Sequence, residues 1–202
     1  MALKSCLVPE IFEAGCDEAG RGCLAGPVFA AAVVLPPGYS HPELNDSKQL
    51  SPQVRNMLRV EIEKSAVAWA VAWVDNRKID EMNILRASIL AMHQALDKLT
   101  VRPQHILVDG NRFFPYGKVP FSCIVKGDGI YASIAAASIL AKTWRDEYMS
   151  GLHSEISCYS WDSNKGYPTP EHRAAIEQFG ISVYHRKSFA LMDEQLELDF
   201  ND

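Results

Sequence analysis

A chain of 202 residues, 48% hydrophobic and 22% charged, has the size for one substantial core and is too short for two comfortable domains. Its composition is that of an ordinary globular protein, and no apolar run reaches the ~20 residues a membrane span needs. The net charge of −5 argues against a uniformly basic nucleic-acid-binding surface.

That charge is unevenly placed. The last ten residues, DEQLELDFND, hold five acids and no base, leaving 20 basic and 20 acidic residues over positions 1–192. A local basic face therefore stays open to the body of the chain. The five cysteines, Cys6, Cys16, Cys23, Cys123 and Cys158, are odd in number and form no C-x-x-C pair. This argues against a disulfide framework and a zinc site and predicts free, mostly buried thiols. The opening segment MALKSCLVPE has no signal-peptide core, so a cytoplasmic protein without membrane contact is expected. Nothing calls for an obligate interface, and a monomer is expected.

In chain order, IFEAGCDE reads as a short strand running into the glycine turn Gly20-Arg21-Gly22. PVFAAAVVL is a continuous apolar run, the pattern of a strand covered on both faces. HPELNDSKQLSPQVR reads as a loop entering a helix, with Ser51 as N-cap and Pro52 at the first helical position. VAWAVAWVD is a third strand. From Asn83 onward Leu85, Ile89, Met92, Leu96 and Leu99 recur at helical spacing. HILVDG and FSCIVK are two further strands, the second leading into GDG. The alanine-rich YASIAAASILAKTWRDEYM predicts a buried helix with one tightly packed face. Thr169 caps a last helix, PEHRAAIEQF, with Pro170 at its start and Gly180 beyond its end. Strands followed by alternating helix and strand predict an α/β domain on a mixed central sheet flanked by helices. After Met149 the pattern turns helical and irregular, which predicts a small helical C-terminal lobe. The expected organisation is a core over 1–150, the lobe over 151–192 and an acidic flexible tail over 193–202.

Four carboxylates stand where apolar strands give way to glycine: Asp17 and Glu18, Asp109, and Asp128. In open α/β sheets the strand ends form the crevice where ligands bind, so these acids would converge. Clustered carboxylates repel unless a cation or proton lies between them, and hard divalent ions such as Mg²⁺ suit an all-oxygen donor set. Two such ions ~3.5–4 Å apart clamp the attacking and leaving oxygens of a phosphoryl displacement. Adjacent strand residues point to opposite faces, so Asp17 and Glu18 share a site only if the chain leaves strand geometry at Glu18. Residue chemistry alone gives a metal-dependent hydrolase without a substrate.

DEAGRGCLAGPV resembles the first motif of the bacterial ribonuclease HII family. NDSKQLS, VDGN, KGD, SIAAASILAKTWRD, KGYPTPEH and HRKSF match its later motifs in the same order, over residues 10–190. The resemblance implies a ribonuclease-H-like catalytic core and endonucleolytic cutting of RNA paired to DNA. It also implies incision of DNA duplexes 5′ to an embedded ribonucleotide, leaving 3′-hydroxyl and 5′-phosphate ends. Carried over by position, the metal-binding and catalytic acids fall on Asp17, Glu18, Asp109 and Asp128, serving Mg²⁺ or Mn²⁺. Asp146 is the rival for the fourth place, although an i,i+4 pair with Lys142 explains it without a metal. The turn Gly20, Arg21 and Gly22 corresponds to the family's ribose-sensing loop, and Tyr167 to a tyrosine that packs on the neighbouring sugar. Lys48, Lys165, Arg186 and Lys187 are expected phosphate contacts, while Ser133 and Ser138 fit helix packing equally well. Asn164 departs from the histidine expected two residues before the glycine of KGY.

QLELDF resembles the short motif by which bacterial replication and repair proteins dock on the sliding clamp, with Gln195 as hydrogen-bonding group and Leu196, Leu198 and Phe200 as apolar anchors. The competing functional readings are a non-catalytic hybrid-binding module tethered to the clamp and a DNA nuclease of the same fold.

Overall fold

The computed structural model describes residues 3–192. Strand β1 (Glu13–Ala19) and strand β2 (Val28–Val34) form an antiparallel pair. All seven residues of β2 are buried, as a strand covered on both faces requires. Helix α1 (Pro52–Ser65) starts where the sequence places it, with the Ser51 side chain accepting from the Val54 amide. Strand β3 (Ala68–Val74) pairs antiparallel with β2. It is followed by helix α2 (Asn76–Met82) and helix α3 (Ile84–Asp97), the latter capped by the Asn83 side chain. Strands β4 (His105–Asp109) and β5 (Phe121–Ile124) complete the sheet in parallel pairings, β1 with β4 and β4 with β5. Helix α4 (Ala132–Glu155), the four-residue α5 (Trp161–Asn164) and α6 (Pro170–Phe179) close the order.

The sheet runs β3-β2-β1-β4-β5, mixed and flanked by helices as expected. Strand alternation divides its side chains between two cores. Ala14, Cys16, Ile106 and Val108 pack with Ala91, Met92 and Leu96 of α3, whereas Ala19, Ala31 and Val33 pack with Leu58 and Ile62 of α1 and the alanines of α4. Helix α4 lies so close to β1 that a Cβ on Gly15 would collide with the backbone of Ser133 and Ile134. Small residues on both surfaces permit that approach.

Residue 150 falls inside α4, which runs unbroken to Glu155. Its distal residues Met149 and Leu152 join Leu24, Ala25, Tyr159, Trp161, Ala175 and Ile176 in a third core. The C-terminal segment is thus built on the same helix as the sheet. All five cysteines are free; Cys16 and Cys23 are buried and the other three are half-buried. No helix among the described residues is long and apolar enough to cross a membrane. Residues 193–202, with Gln195, Leu196, Leu198 and Phe200, lie outside the described residues.

Candidate active site

The parallel strands β1, β4 and β5 end on one edge of the sheet, and three acids meet there. Asp17 is buried on the α4 side of β1, where its Oδ1 accepts the Glu18 amide at 2.7 Å. The Ser138 hydroxyl also bonds it and is itself hydrogen-bonded to Ser47 at 2.9 Å. Asp109 is the last residue of β4, its Oδ1 accepting the Gly127 amide at 2.7 Å. Asp128 sits in the 3-10 turn Gly127–Gly129, which follows a left-handed Lys126. One carboxylate oxygen from each of the three lies within 4.8 Å of the others.

The electrostatics of this group favour a cation or a proton among the carboxylates. Burial, then the charges of Glu18 and Asp109, hold the Asp17 carboxyl well above its ordinary range, against the opposing hydrogen bonds from Ser138 and the Glu18 amide. Burial and Asp109 raise Asp128 in the same way, opposed by Lys48, whose Nζ stands 3.5 Å from Asp128 Oδ2. An all-oxygen donor set with unbalanced negative charge fits a hard divalent ion. It is the one cluster of this kind among the described residues.

Glu18 is held apart from that group. Strand pairing continues through Glu18 opposite Ala30 and Ala19 opposite Phe29, so the chain keeps strand geometry and Glu18 faces α3. There it pairs with Arg21 at 3.1 Å and lines a cleft of about 200 Å³ with Asp109, Asn111, Ser88 and Met92. Burial raises its carboxyl, and Arg21 opposes the rise. Asp146 is also outside the cluster, bound to Lys142 at 2.7 Å.

Gly20 takes a φ of +93°, and a Cβ there would collide with the Arg145 guanidinium. At Gly22 nothing lies within 4 Å of the Cβ position, so no packing within the described residues demands a glycine there. Tyr167 is 36% exposed, with Lys142 5.3 Å and Arg145 5.7 Å from its ring centre. Lys165 is less free than a phosphate contact would be. Its Nζ donates to Ser150 Oγ and the Asp162 carbonyl, both at 2.6 Å, and burial lowers its pKa. Asn164 receives the Gly166 amide and donates to the Tyr159 carbonyl, which fixes the turn before Tyr167.

Arg186 corrects its sequence reading. Instead of facing phosphate it is fully buried and donates to the carbonyls of Gly20, Arg21 and Gly26 at 2.7, 2.9 and 3.0 Å. The Lys187 amide is bound by Asp80. Sequence reasoning missed Arg145, also fully buried, which donates to the carbonyls of Pro27, Ala25 and Lys165. The signal was present: Ala141, Arg145, Met149 and Leu152 follow helical spacing along one buried stripe, which sets a cation at a core position.

A mixed five-stranded sheet, helices on both faces and a cluster of acids at parallel strand ends define a metal-dependent hydrolase of ribonuclease-H-like fold. The family model described as Ribonuclease HII matches residues 14–192. The chain belongs to the ribonuclease HII family and is an endoribonuclease. It is 60% identical to the ribonuclease HII of Bacteroides thetaiotaomicron over 192 residues, 95% of this chain and 96% of the relative. With that of Bacteroides fragilis it shares 61% over 190 residues, 94% of each. Among solved structures, ribonuclease H2 from Pyrococcus horikoshii OT3 superposes with a TM-score of 0.71 at 26% identity, covering 89% of this chain and 94% of that one. The family is divalent-metal dependent, and the acid triad supplies a ligand set for the ion.

Proposed function

We propose that the protein hydrolyses RNA in RNA/DNA hybrids and incises DNA duplexes 5′ to an embedded ribonucleotide, leaving 3′-hydroxyl and 5′-phosphate ends. The supporting observation is the carboxylate triad, with Asp17 and Asp128 buried and Asp109 half-buried, beside a glycine-arginine turn with free space over Gly22. Asp17, Asp109 and Asp128 would hold two Mg²⁺ or Mn²⁺ ions, with Glu18 contributing from the cleft it shares with Asp109. When bound, such ions supply the charge that activates water and stabilises the departing 3′-oxygen. The chain's own groups bind and orient. Lys48, with its side chain 77% exposed beside Asp128, offers a cation to phosphate. Arg21 serves the neighbouring phosphate. Gly22 lets backbone approach the 2′-hydroxyl, the group that separates RNA from DNA. The Tyr167 ring packs on the adjacent sugar, and Lys165 adds charge from its anchored place.

The test is a duplex with one embedded ribonucleotide, with and without Mg²⁺ or Mn²⁺, beside an all-DNA control. Incision 5′ to the ribonucleotide is expected only with metal. Asp17→Asn should lose roughly 10²–10³-fold in kcat, the scale of removing one transition-state electrostatic partner. Cutting of the all-DNA duplex would identify a DNA nuclease of this fold, and binding without product a hybrid-binding module.

The QLELDF segment supports docking on the sliding clamp, where a terminal peptide raises the enzyme's effective concentration on DNA. Removing residues 194–202 should abolish clamp binding and leave hydrolysis unchanged. Equal clamp affinity of the shortened and full chains would end this reading.

A further inference from the structure

Buried arginines ordinarily have an anionic partner, because a desolvated charge is costly. Arg145 and Arg186 are both fully buried, and neither forms an ion pair among the described residues. Their six hydrogen bonds all go to backbone carbonyls. Five of those carbonyls, of Gly20, Arg21, Ala25, Gly26 and Pro27, lie in one eight-residue stretch. The sixth belongs to Lys165, two residues before Tyr167.

A peptide unit is planar and trans, so the N–H of one residue points away from the C=O of the residue before it. Drawing the Gly20 and Arg21 carbonyls into Arg186 therefore turns the Arg21 and Gly22 amides outward. Neither amide has a partner among the described residues. Two consecutive outward amides with open space over Gly22 offer paired donors to an oxygen ligand. Arg145 adds a second constraint. With two donors on residues 25–27 and one on Lys165, it joins this loop to the turn bearing Tyr167, and the Leu24 amide reinforces the join by donating to the Gly166 carbonyl at 2.8 Å.

We propose that Arg145 and Arg186 are positioning residues for ribose recognition: they fix the outward amides of the Gly20–Gly22 turn and hold that turn in register with Tyr167. Neither touches the substrate. Their fixed fork supplies the geometry, which a lysine of equal charge lacks. Asp80 completes the device from α2, accepting the Lys187 and Ser188 amides and the Ser188 hydroxyl and so anchoring the segment that carries Arg186.

This inference rests on the ribose-sensing reading of the turn. The experiment measures affinity of the full chain in EDTA, where no cutting occurs, for a duplex with one ribonucleotide and for its all-DNA counterpart. Wild type should prefer the ribonucleotide. Arg186→Lys and Arg145→Lys should each lower that preference about tenfold, the scale of one lost charge-assisted hydrogen bond, with all-DNA affinity unchanged. Asp80→Ala, at a half-buried position with both guanidiniums intact, should lower it in the same direction by less, and it serves as the readout if a lysine variant does not fold. A full preference retained in the folded variants overturns the proposal, as does an equal loss for both duplexes, which would show a general structural role. Absence of any preference in wild type would instead remove the ribose-sensing reading itself.

Discussion

The neighbouring residues Asp17 and Glu18 meet different fates because strand geometry sends one to each face of β1. The Asp17 and Asp128 carboxyls are both raised, first by burial and then by neighbouring carboxylates. A carboxyl with a folded-state pKa above its unfolded value binds its proton more tightly when folded. Stability is then greatest below the unfolded value near 4 and falls as pH rises from there towards the folded value. The metal-free protein should therefore lose melting temperature across this window, and Mg²⁺ or Mn²⁺ should raise Tm more at pH 7 than at pH 4. Asp17→Asn should raise the metal-free Tm and shrink the metal response. Thermal denaturation against pH, with and without metal, checks both signs. The position of these acids was legible at glycine-bounded strand ends. The side chosen by Glu18 was not, since it depends on pairing that continues to Ala19.

Among the elements, those with a capping residue and a strong apolar period were readable in advance: α1 behind Ser51 and α6 behind Thr169, each with proline at its first position. Helix α2 escaped because it spans seven residues with Ile79 as its one buried apolar side chain, too few to establish a period. The α4–β1 contact escaped for another reason. Alanine richness indicates a close-packed face, but the partner of that face is a tertiary fact. The contact carries a direct expectation: Gly15→Ala forces a methyl against the backbone of Ser133 and Ile134 and should cost ~1–3 kcal/mol or more, as overpacking does. Urea denaturation of the variant measures it.

At the scale of the whole molecule, the C-terminal segment is held by a buried histidine pair. His185 Nδ1 accepts the Ser182 amide at 2.9 Å, so its proton is on Nε2, facing His172 Nε2 at 3.2 Å. That atom of His172 also accepts Trp161 Nε1–H at 3.1 Å, leaving its Nδ1–H for the Tyr167 carbonyl at 2.9 Å. Both rings must be neutral for this chain of bonds. Burial lowers His172, and burial with His172 lowers His185 to about 4. A histidine depressed in the folded state stabilises above its unfolded value and loses that contribution as pH falls towards the folded one. The lobe should thus loosen between about pH 6.5 and about 4, seen as faster amide exchange in α6, and His185→Phe should blunt the pH dependence.

Helix α4 runs along the Asp17 face of β1 and on into the C-terminal core. Ser138 meets Asp17 from one point on it, and Arg145 holds the Ala25 and Pro27 carbonyls behind the glycine-arginine turn from another seven residues along, a rise of ~10.5 Å at 1.5 Å per residue. The helix is in effect a ruler that sets the span between the acid cluster and the loop of residues 20–27. A single inserted residue between positions 138 and 145 would add ~1.5 Å and swing one grip by ~100° relative to the other. Substitutions along this stretch can be absorbed locally, but a change of its length cannot, so here the count of residues matters more than their kind.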